Sequence, residues 1–600
     1  MDKKNLSLGI LFIVAAISTL IIGSKYQTPP ATVAPTVTAP AAAAPGAAAP
    51  IPSSALVAPA GAPASMLAAL ASDRSDATAT LLSNEYVTVR LTDFGGAIQD
   101  VAFKKYPAHQ DAPEAFVFNQ QHVAPILALA ELPGLGANTR FQLIKATATE
   151  VVYRAVFEDR LEITRRYALA GPEGDPYRIR HETTLRNLTT ATIQPPRLSL
   201  ELGTTTLVGA NDTGLYLNVA TYDGDKAEVT ERADLEGGGL LNWMGVSSNP
   251  PKAQLEKPVA FQWAAVKNQF FASIYTPDQP GQSVVVRNVE LPPLLGSTRA
   301  NTGITATARF DLAPLAPGAS TTQSGQLYVG PKEYTRLAKF EKREDKVMQF
   351  DRYFFNRIFL SGLVSPLLNK AMVWIHSWPI IGNWGLAIVI MTLGLKVISL
   401  PFTLAASKSA KRMGKISEPM KAIREKYKDN PKKLNEATMA LFKEHKVNPA
   451  GGCLPVLITI PLFVGFFAML QGTAELRFQS FLWAHDLSGP DTIWHIPGLG
   501  FPVNIMPLLM GATMIVQMRL TPQPTTMEGP QVMIMKIMPW MFTLFCYNFA
   551  AALALYSTVN GLFTIGQQLW VNKYSNDEES AAAVAAPRSG KGLKNVTPKK

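Results

Sequence analysis

The sequence predicts a polytopic α-helical membrane protein, six spans with five of them forming a core, that carries a large exported β-sandwich domain. Three observations predict it. Apolar residues crowd into the first 25 positions and the region after about 360, while 80–340 has the balance of a soluble protein. In that middle stretch the hydrophobic period is two, the period of a half-buried strand. The basic residues behind the formal charge of +11 gather beside the apolar segments, a pattern that orients spans on a lipid bilayer and points to no sequence-specific nucleic acid.

The elements follow in order. Residues 1–26 begin with Lys3 and Lys4 and continue as an apolar run from Leu6 to Ile22. Such a run is a cleaved signal or an uncleaved anchor, and its length with no A-x-A site directly after it favours an anchor with its N-terminus in the cytoplasm. Residues 27–79 form an Ala/Pro-rich tract that cannot build a core and reads as an extended spacer. From 80 to 340, stretches such as EYVTVRLTDFGGAIQDVAFKKY and TEVVYRAVFEDRLEITRRYAL alternate apolar with polar, separated by Gly, Pro and Asn-Asp turns. An antiparallel β-sandwich is the solution they suggest. Residues 341–382 turn helical and amphipathic, fit to lie along a membrane surface.

The second span is 383–404. A basic segment, 405–449, carries twelve Lys and Arg between Lys408 and Lys446 and reads as an antiparallel helical hairpin. Four more spans occupy 450–572. The last 35 residues of that stretch, Ile537 to Val571, hold no charged side chain; one helix of that length would run about 52 Å, so two short spans joined near Asn548 to Ala551 fit better. A basic tail, 573–600, closes the chain. Twelve cations in the hairpin against Arg477 alone in the loop 474–500 put the hairpin and both termini in the cytoplasm and 27–382 outside.

Lys396 is the one charged side chain expected inside a span, and no carboxylate in any other span is available to neutralise it. Two readings stand. In the first, Lys396 snorkels about 10 Å to the cytoplasmic surface. In the second, it lines a hydrated groove: Thr392, Lys396, Ser399 and Thr403 recur at helical spacing, and Ser557, Asn560, Thr564 and Gln567 or Gln568 give the last span a matching stripe. Met506, Met510, Met514 and Met518 fall one turn apart and suit a surface that accepts varied apolar partners.

Enzymatic readings find little footing. No P-loop or HExxH occurs, and His485, His495, Asp486 and Asp491 share one loop without metal-ligand spacing, so neither cofactor nor metal is expected. Both cysteines, Cys453 and Cys546, lie in apolar segments, so the exported domain depends on no disulfide. Two alternatives remain: a transporter with Lys396 on its path, and a sugar-active enzyme using His109, His122 or His181 of the β-domain.

GNWGLAIVIMTLGLKVISLPFTLAASKSAKRM, KVNPAGGCLPVLITIPLFVGFFAML and the loop motifs ELRF and HDLSGPD resemble the YidC/Oxa1/Alb3 membrane protein insertases, in their Gram-negative form with a periplasmic domain. The resemblance implies an inner-membrane insertase and chaperone, not an enzyme. Its hydrophilic, cation-containing groove would receive nascent membrane proteins and release their spans into lipid, alone or with the Sec translocon. It implies groove roles for Lys396, where the family usually has Arg, and for Thr392, Ser399, Ser557, Asn560 and Gln567. Ser557 falls at the family's groove aromatic, beside Tyr556, and NFAA replaces the usual Pro-Ser-Gly turn. It further implies a hydrophobic slide at Met506, Met510 and Met514, and contacts of the hairpin and tail with the ribosome or targeting factors. The exported domain would be a galactose-mutarotase-like supersandwich.

Overall fold

A computed structural model describes residues 67–68 and 76–585, apart from 111–112, 132–134, 196, 210–211, 238–249, 293–300, 429, 446–453, 499 and 521–529. The expected anchor 1–26, most of the expected spacer 27–79 and the part of the expected tail 573–600 beyond 585 lie outside the described residues. The chain divides into two compact units, 1–63 with 527–537, and 64–526 with 538–600. Of the first, only the start of one helix, from Pro530, is described. The second holds the β-domain and the other labelled helices.

The β-domain is built of stacked sheets, as the period of two requires. Its nine-stranded antiparallel sheet runs in the spatial order Ala227–Glu231, Asn218–Tyr222, Trp263–Lys267, Phe271–Pro277, Ser320–Pro331, Arg178–Asn187, Leu161–Leu169, Glu150–Phe157, Gln142–Ala146. Strand Leu161–Leu169 alternates buried and half-buried residues along its whole length, so one face is core. The six-stranded sheet is centred on Gly281–Leu291, Asn301–Phe310 and Leu198–Thr205 and is buried on nearly every residue. A four-stranded sheet, Ala79–Ser83 to Ala115–Phe118, covers the start of the domain. The spacer expectation needs a correction at its end: Leu67–Ala68 form a short strand that pairs in parallel with Val289–Glu290.

Eight longer helices follow: α1 Ser361–His376, α2 Trp384–Lys415, α3 Ser417–Lys426, α4 Pro431–Glu444, α5 Leu454–Leu470, α6 Ile505–Leu520, α7 Pro530–Phe545 and α8 Ala551–Ala585. Among the described residues, one helical stretch, Trp384–Ala405, is long and apolar enough to cross a bilayer, and Ile460–Leu470 and Ile505–Leu520 are shorter apolar helices. The apolar stretch of α2 ends at Ala405, against the expected span end at 404, and the helix itself runs on to Lys415. The break before the last helix falls at Cys546–Ala550, overlapping the expected join near Asn548 to Ala551, and α8 continues through the polar residues after 572 to Ala585.

α1 is not amphipathic in the expected sense. Ser361, Ser365 and Asn369 are buried, while Leu363, Leu367 and Trp374 are 60% exposed or more. Ser365 Oγ donates to Gly465 O of α5 at 2.8 Å. Leu368, Met372 and Ile375 are buried with these polar residues, so the inner face of α1 is mixed and its outer face keeps large apolar groups, as suits a helix with lipid beside it. The hairpin closes on a small core of Ile416, Met420 and Leu441, backed by Ile423 and Phe442.

Candidate functional site: a polar seam between two membrane helices

α2 and α8 pack along their polar stripes. Thr392 is buried, and Lys396, Ser399 and Thr403 are half-buried on the same face; Val397, Ile398 and Phe402 on the opposite face are more than half exposed. The 4-3-4 spacing produces this split, since it keeps four polar side chains within one stripe of a 3.6-residue helix. On α8, Asn560, Thr564 and Gln567 turn toward them.

Two side-chain pairs close the seam. Lys396 Nζ donates to Thr564 Oγ1 at 2.9 Å. One turn further along, Gln567 Nε2 donates to Thr403 Oγ1 at 2.9 Å. Thr392 Oγ1 bonds back to Ile388 O at 2.7 Å, Ser399 Oγ to Lys396 O at 3.1 Å and Thr564 Oγ1 to Asn560 O at 2.7 Å, so these hydroxyls stay satisfied inside an apolar setting. No ion pair between Lys396 and a carboxylate occurs among the described residues. The space left between the helices is a cavity of about 20 Å³ lined by Thr392, Leu395, Lys396, Ser399, Thr403, Leu462, Tyr556 and Asn560. That is room for roughly one water. In this state the seam is closed.

The expected residues meet unevenly. Lys396, Thr392, Ser399 and Asn560 share the cavity, and Gln567 joins through Thr403. Ser557 does not line it; Tyr556 does, stacked on Phe466 at 3.9 Å between ring centroids. The hydroxyls of Tyr556, Ser557 and Thr558 are buried without a partner among the described residues. Tyr556 was missed because an aromatic ring reads as apolar in a periodicity count, and its neighbour Ser557 offered the more obvious polar match. Met506 and Met510 are buried and Met514 is half-buried, so the outward face of α6 is carried by Leu508, Leu509 and Val516 instead. The methionines face the bundle because α6 approaches its neighbours closely. A Cβ at Gly561 of α8 would lie 2.6 Å from Thr513 Oγ1, and one at Gly511 would lie 2.3 Å from Thr543 Oγ1 of α7.

The loop from Gln471 to Asn504 supports the bundle end, and two of its acidic residues, Asp486 and Asp491, are structural. Asp486 Oδ1 accepts from Phe478 N and Ser488 N, and Asp491 Oδ2 accepts from Trp483 Nε1 and from Met506 N at the start of α6. In the β-domain, His181 is enclosed by Tyr275 Oη at 3.1 Å and Thr183 Oγ1 at 2.8 Å, with Arg165 beside it; no carboxylate is bonded to it for acid–base work. Burial and the Arg165 charge hold its imidazole well below the usual range.

Fold and seam together define a class: a helical membrane protein that carries a β-rich domain and, among the described residues, one cation set between two polar helix faces. The comparisons narrow it. Residues 81–360 match the family model of the YidC periplasmic domain, and 374–579 match that of the 60Kd inner membrane protein. A protein named membrane protein insertase YidC from Prosthecochloris aestuarii is 30% identical over 548 residues, 87% of this chain and 88% of its own length. One of the same name from Chlorobaculum parvum is 35% identical over 376 residues, 61% of each chain. A solved active YidC insertase is 15% identical and covers 84% of this chain and 93% of its own, at a TM-score of 0.31. The chain belongs to the YidC family of inner-membrane proteins, whose curated members are named as insertases rather than enzymes.

Proposed function

We propose that this protein is a membrane protein insertase in which the α2–α8 seam receives the polar flank of a nascent membrane protein. One observation carries the reading: Lys396 stands between two polar stripes with a hydroxyl, not a carboxylate, as its partner. An ammonium held by a neutral hydroxyl can exchange that partner for an arriving carboxylate at little cost, whereas a buried ion pair would resist. Opening requires the parting of two contacts, Lys396–Thr564 and Thr403–Gln567. The polar flank then crosses part of the bilayer beside water and fixed dipoles, which lowers the cost of carrying it through hydrocarbon.

Release is driven by the client's own apolar span. Each Å² of apolar surface that leaves water contributes about 25 cal/mol, so no nucleotide is needed. The exposed apolar residues Leu393, Val397 and Ile398 of α2 and Leu508, Leu509 and Val516 of α6 offer the surfaces along which such a span leaves. Met514 sits at the edge of the second. On this reading the β-domain is periplasmic, the basic hairpin meets the ribosome or targeting factors in the cytoplasm, and the Sec translocon shares some clients.

The test is reconstitution. Proteoliposomes holding the purified protein and no nucleotide should insert a single-span client with an acidic N-terminal tail. Lys396→Glu should abolish that insertion while a client with a neutral tail still inserts. Equal insertion of both clients by the Lys396→Glu protein would reject the seam as the receiving site.

A further inference from the structure

The ELRF run, Glu475 to Phe478, takes no part in the seam. It sits where the loop after α5 meets the β-domain. Arg477, 4% exposed, donates through Nη1 to Pro107 O at 2.5 Å and through Nη2 to Ala108 O at 2.9 Å. Its guanidinium lies 4.2 Å from the Phe478 ring centre and between 5.2 and 5.9 Å from those of Phe116, Phe271 and Phe270. Gln269 Nε2 adds a bond to Gln471 O at 2.9 Å.

Glu475, two residues before this clamp, is arranged quite differently. Both its carboxylate oxygens are buried and bond to no other residue among those described. It lines a cavity of about 310 Å³ with Glu333 of the β-domain. Glu333 is already satisfied: Tyr106 Oη donates to Oε1 at 2.5 Å and Arg336 Nε to Oε2 at 2.7 Å, while Arg336 Nη1 pairs with Asp175 Oδ2 at 2.7 Å. The remaining charged or titratable groups on the cavity wall are Tyr86, Lys105, Tyr177 and Arg477. Glu475 therefore faces a second carboxylate across the junction, and the cation that could have neutralised it is committed elsewhere.

We infer that ELRF is a proton-dependent socket for the exported domain, in which Arg477 clamps the domain independently of pH and Glu475 adds to the contact only while it carries a proton. A protonated Glu475 is a neutral group that tolerates burial without an ion partner; an ionised one is a buried charge near the like charge of Glu333. Burial first, and the Glu333 charge second, push the Glu475 carboxyl up to about 8. The sign follows from linkage. A carboxyl raised by closure favours closure fully below its ordinary value of 4.5, and that contribution is lost as pH rises toward about 8. The socket weakens by up to about tenfold per pH unit over that window and levels off above it. The inference does not depend on whether the seam receives clients.

The test uses the full chain in lipid nanodiscs and backbone hydrogen exchange, corrected for intrinsic rates, at residues 105–110 and 472–479. Protection in the wild type should fall steadily from pH 5 to pH 8 and then flatten. Glu475→Gln, which keeps the neutral shape, should stay protected throughout. A flat wild-type profile, or a Glu475→Gln profile that falls in parallel with it, would overturn the inference. Infrared difference spectra give a readout that survives a poorly folding variant. A protonated-carboxyl band in ¹³C-glutamate-labelled Glu201→Gln protein, which lacks the other buried glutamate whose carboxyl is raised, should titrate near pH 8, and absence of any such band at pH 6.5 would also overturn it.

Discussion

Lys396 and Thr564 stand 168 residues apart in sequence, and their side chains meet at 2.9 Å as the link between α2 and α8. The contact is a charge-assisted bond to a neutral acceptor, strong enough to hold the seam and weak enough to yield to a carboxylate.

Removing the acceptor should therefore loosen the seam without removing its charge. Thr564→Val leaves the Lys396 ammonium without its partner and is expected to raise the accessibility of Ser399→Cys to a water-soluble thiol reagent several-fold. Insertion of acidic-tailed clients should persist. Lys396→Arg should retain insertion, because charge is kept, and Lys396→Gln should slow it by roughly tenfold, equivalent to about 1.4 kcal/mol of transition-state stabilisation. Insertion kinetics in proteoliposomes check the order Lys ≈ Arg > Gln > Glu.

Helix proximity at Gly561 makes a separate prediction. A Cβ there meets Thr513 Oγ1 at 2.6 Å and Thr513 Cβ at 2.9 Å, so Gly561→Val must push α6 and α8 apart. Overpacking of this kind costs about 1–3 kcal/mol. The melting temperature in detergent should fall, and Thr513→Ala in the same chain should recover part of the loss.

Arg477 should matter to the junction far more than its place in a loop suggests. Arg477→Leu leaves the carbonyls of Pro107 and Ala108 without their donor, a loss of roughly 1.5–3 kcal/mol for a bond to a charged group. Hydrogen exchange at residues 108–110 should rise while exchange in strand Leu161–Leu169, which makes no bond to Arg477, stays unchanged.

Lys332 offers a pH prediction inside the β-domain. It is fully buried beside Lys267, both ammonium nitrogens lack a hydrogen-bond partner among the described residues, and both lie within 5.4 Å of the Tyr216 ring centre. Burial depresses Lys332 to about 7, against a weaker opposing pull from Asp212. The folded state thus favours the neutral amine, and stability present above the ordinary lysine value of 10.5 is lost as pH falls toward 7. Lys332→Met should raise the melting temperature by a few degrees at pH 7 and by less at pH 10. Calorimetry at the two pH values checks the difference.

Much of this architecture was legible in the sequence, for reasons that also explain what was not. The switch of period from two to 3.6 separates β-domain from helices because each period follows from backbone geometry. The stripe from Thr392 to Thr403 was legible for the same reason. Which way a stripe faces is another matter. Inside lipid there is no polar solvent to mark the outer face, so the series from Met506 fitted either side of α6, and α1 hid its serines while leaving Leu363 and Leu367 outside. Tyr556 and Ser557 point to different surroundings although adjacent, since one residue turns a helix by about 100°. The socket at Glu475 and Arg477 was illegible in principle: its partners Pro107 and Glu333 come from distant strands, and no local pattern records such a meeting.

Site-specific photocrosslinking to a ribosome-stalled, single-span nascent chain tests the central claim most directly. The probes belong at Thr392, Ser399 and Asn560 in the seam, with Leu562 and Leu569, on the exposed face of α8 and outside the proposed exit surfaces, as controls for simple proximity to lipid. A client whose polar flank enters the seam should crosslink from all three seam positions before its span reaches the bilayer, and the crosslinks should vanish in Lys396→Glu. Crosslinks from the control positions alone would contradict the account and leave the two polar stripes as a helix-packing device.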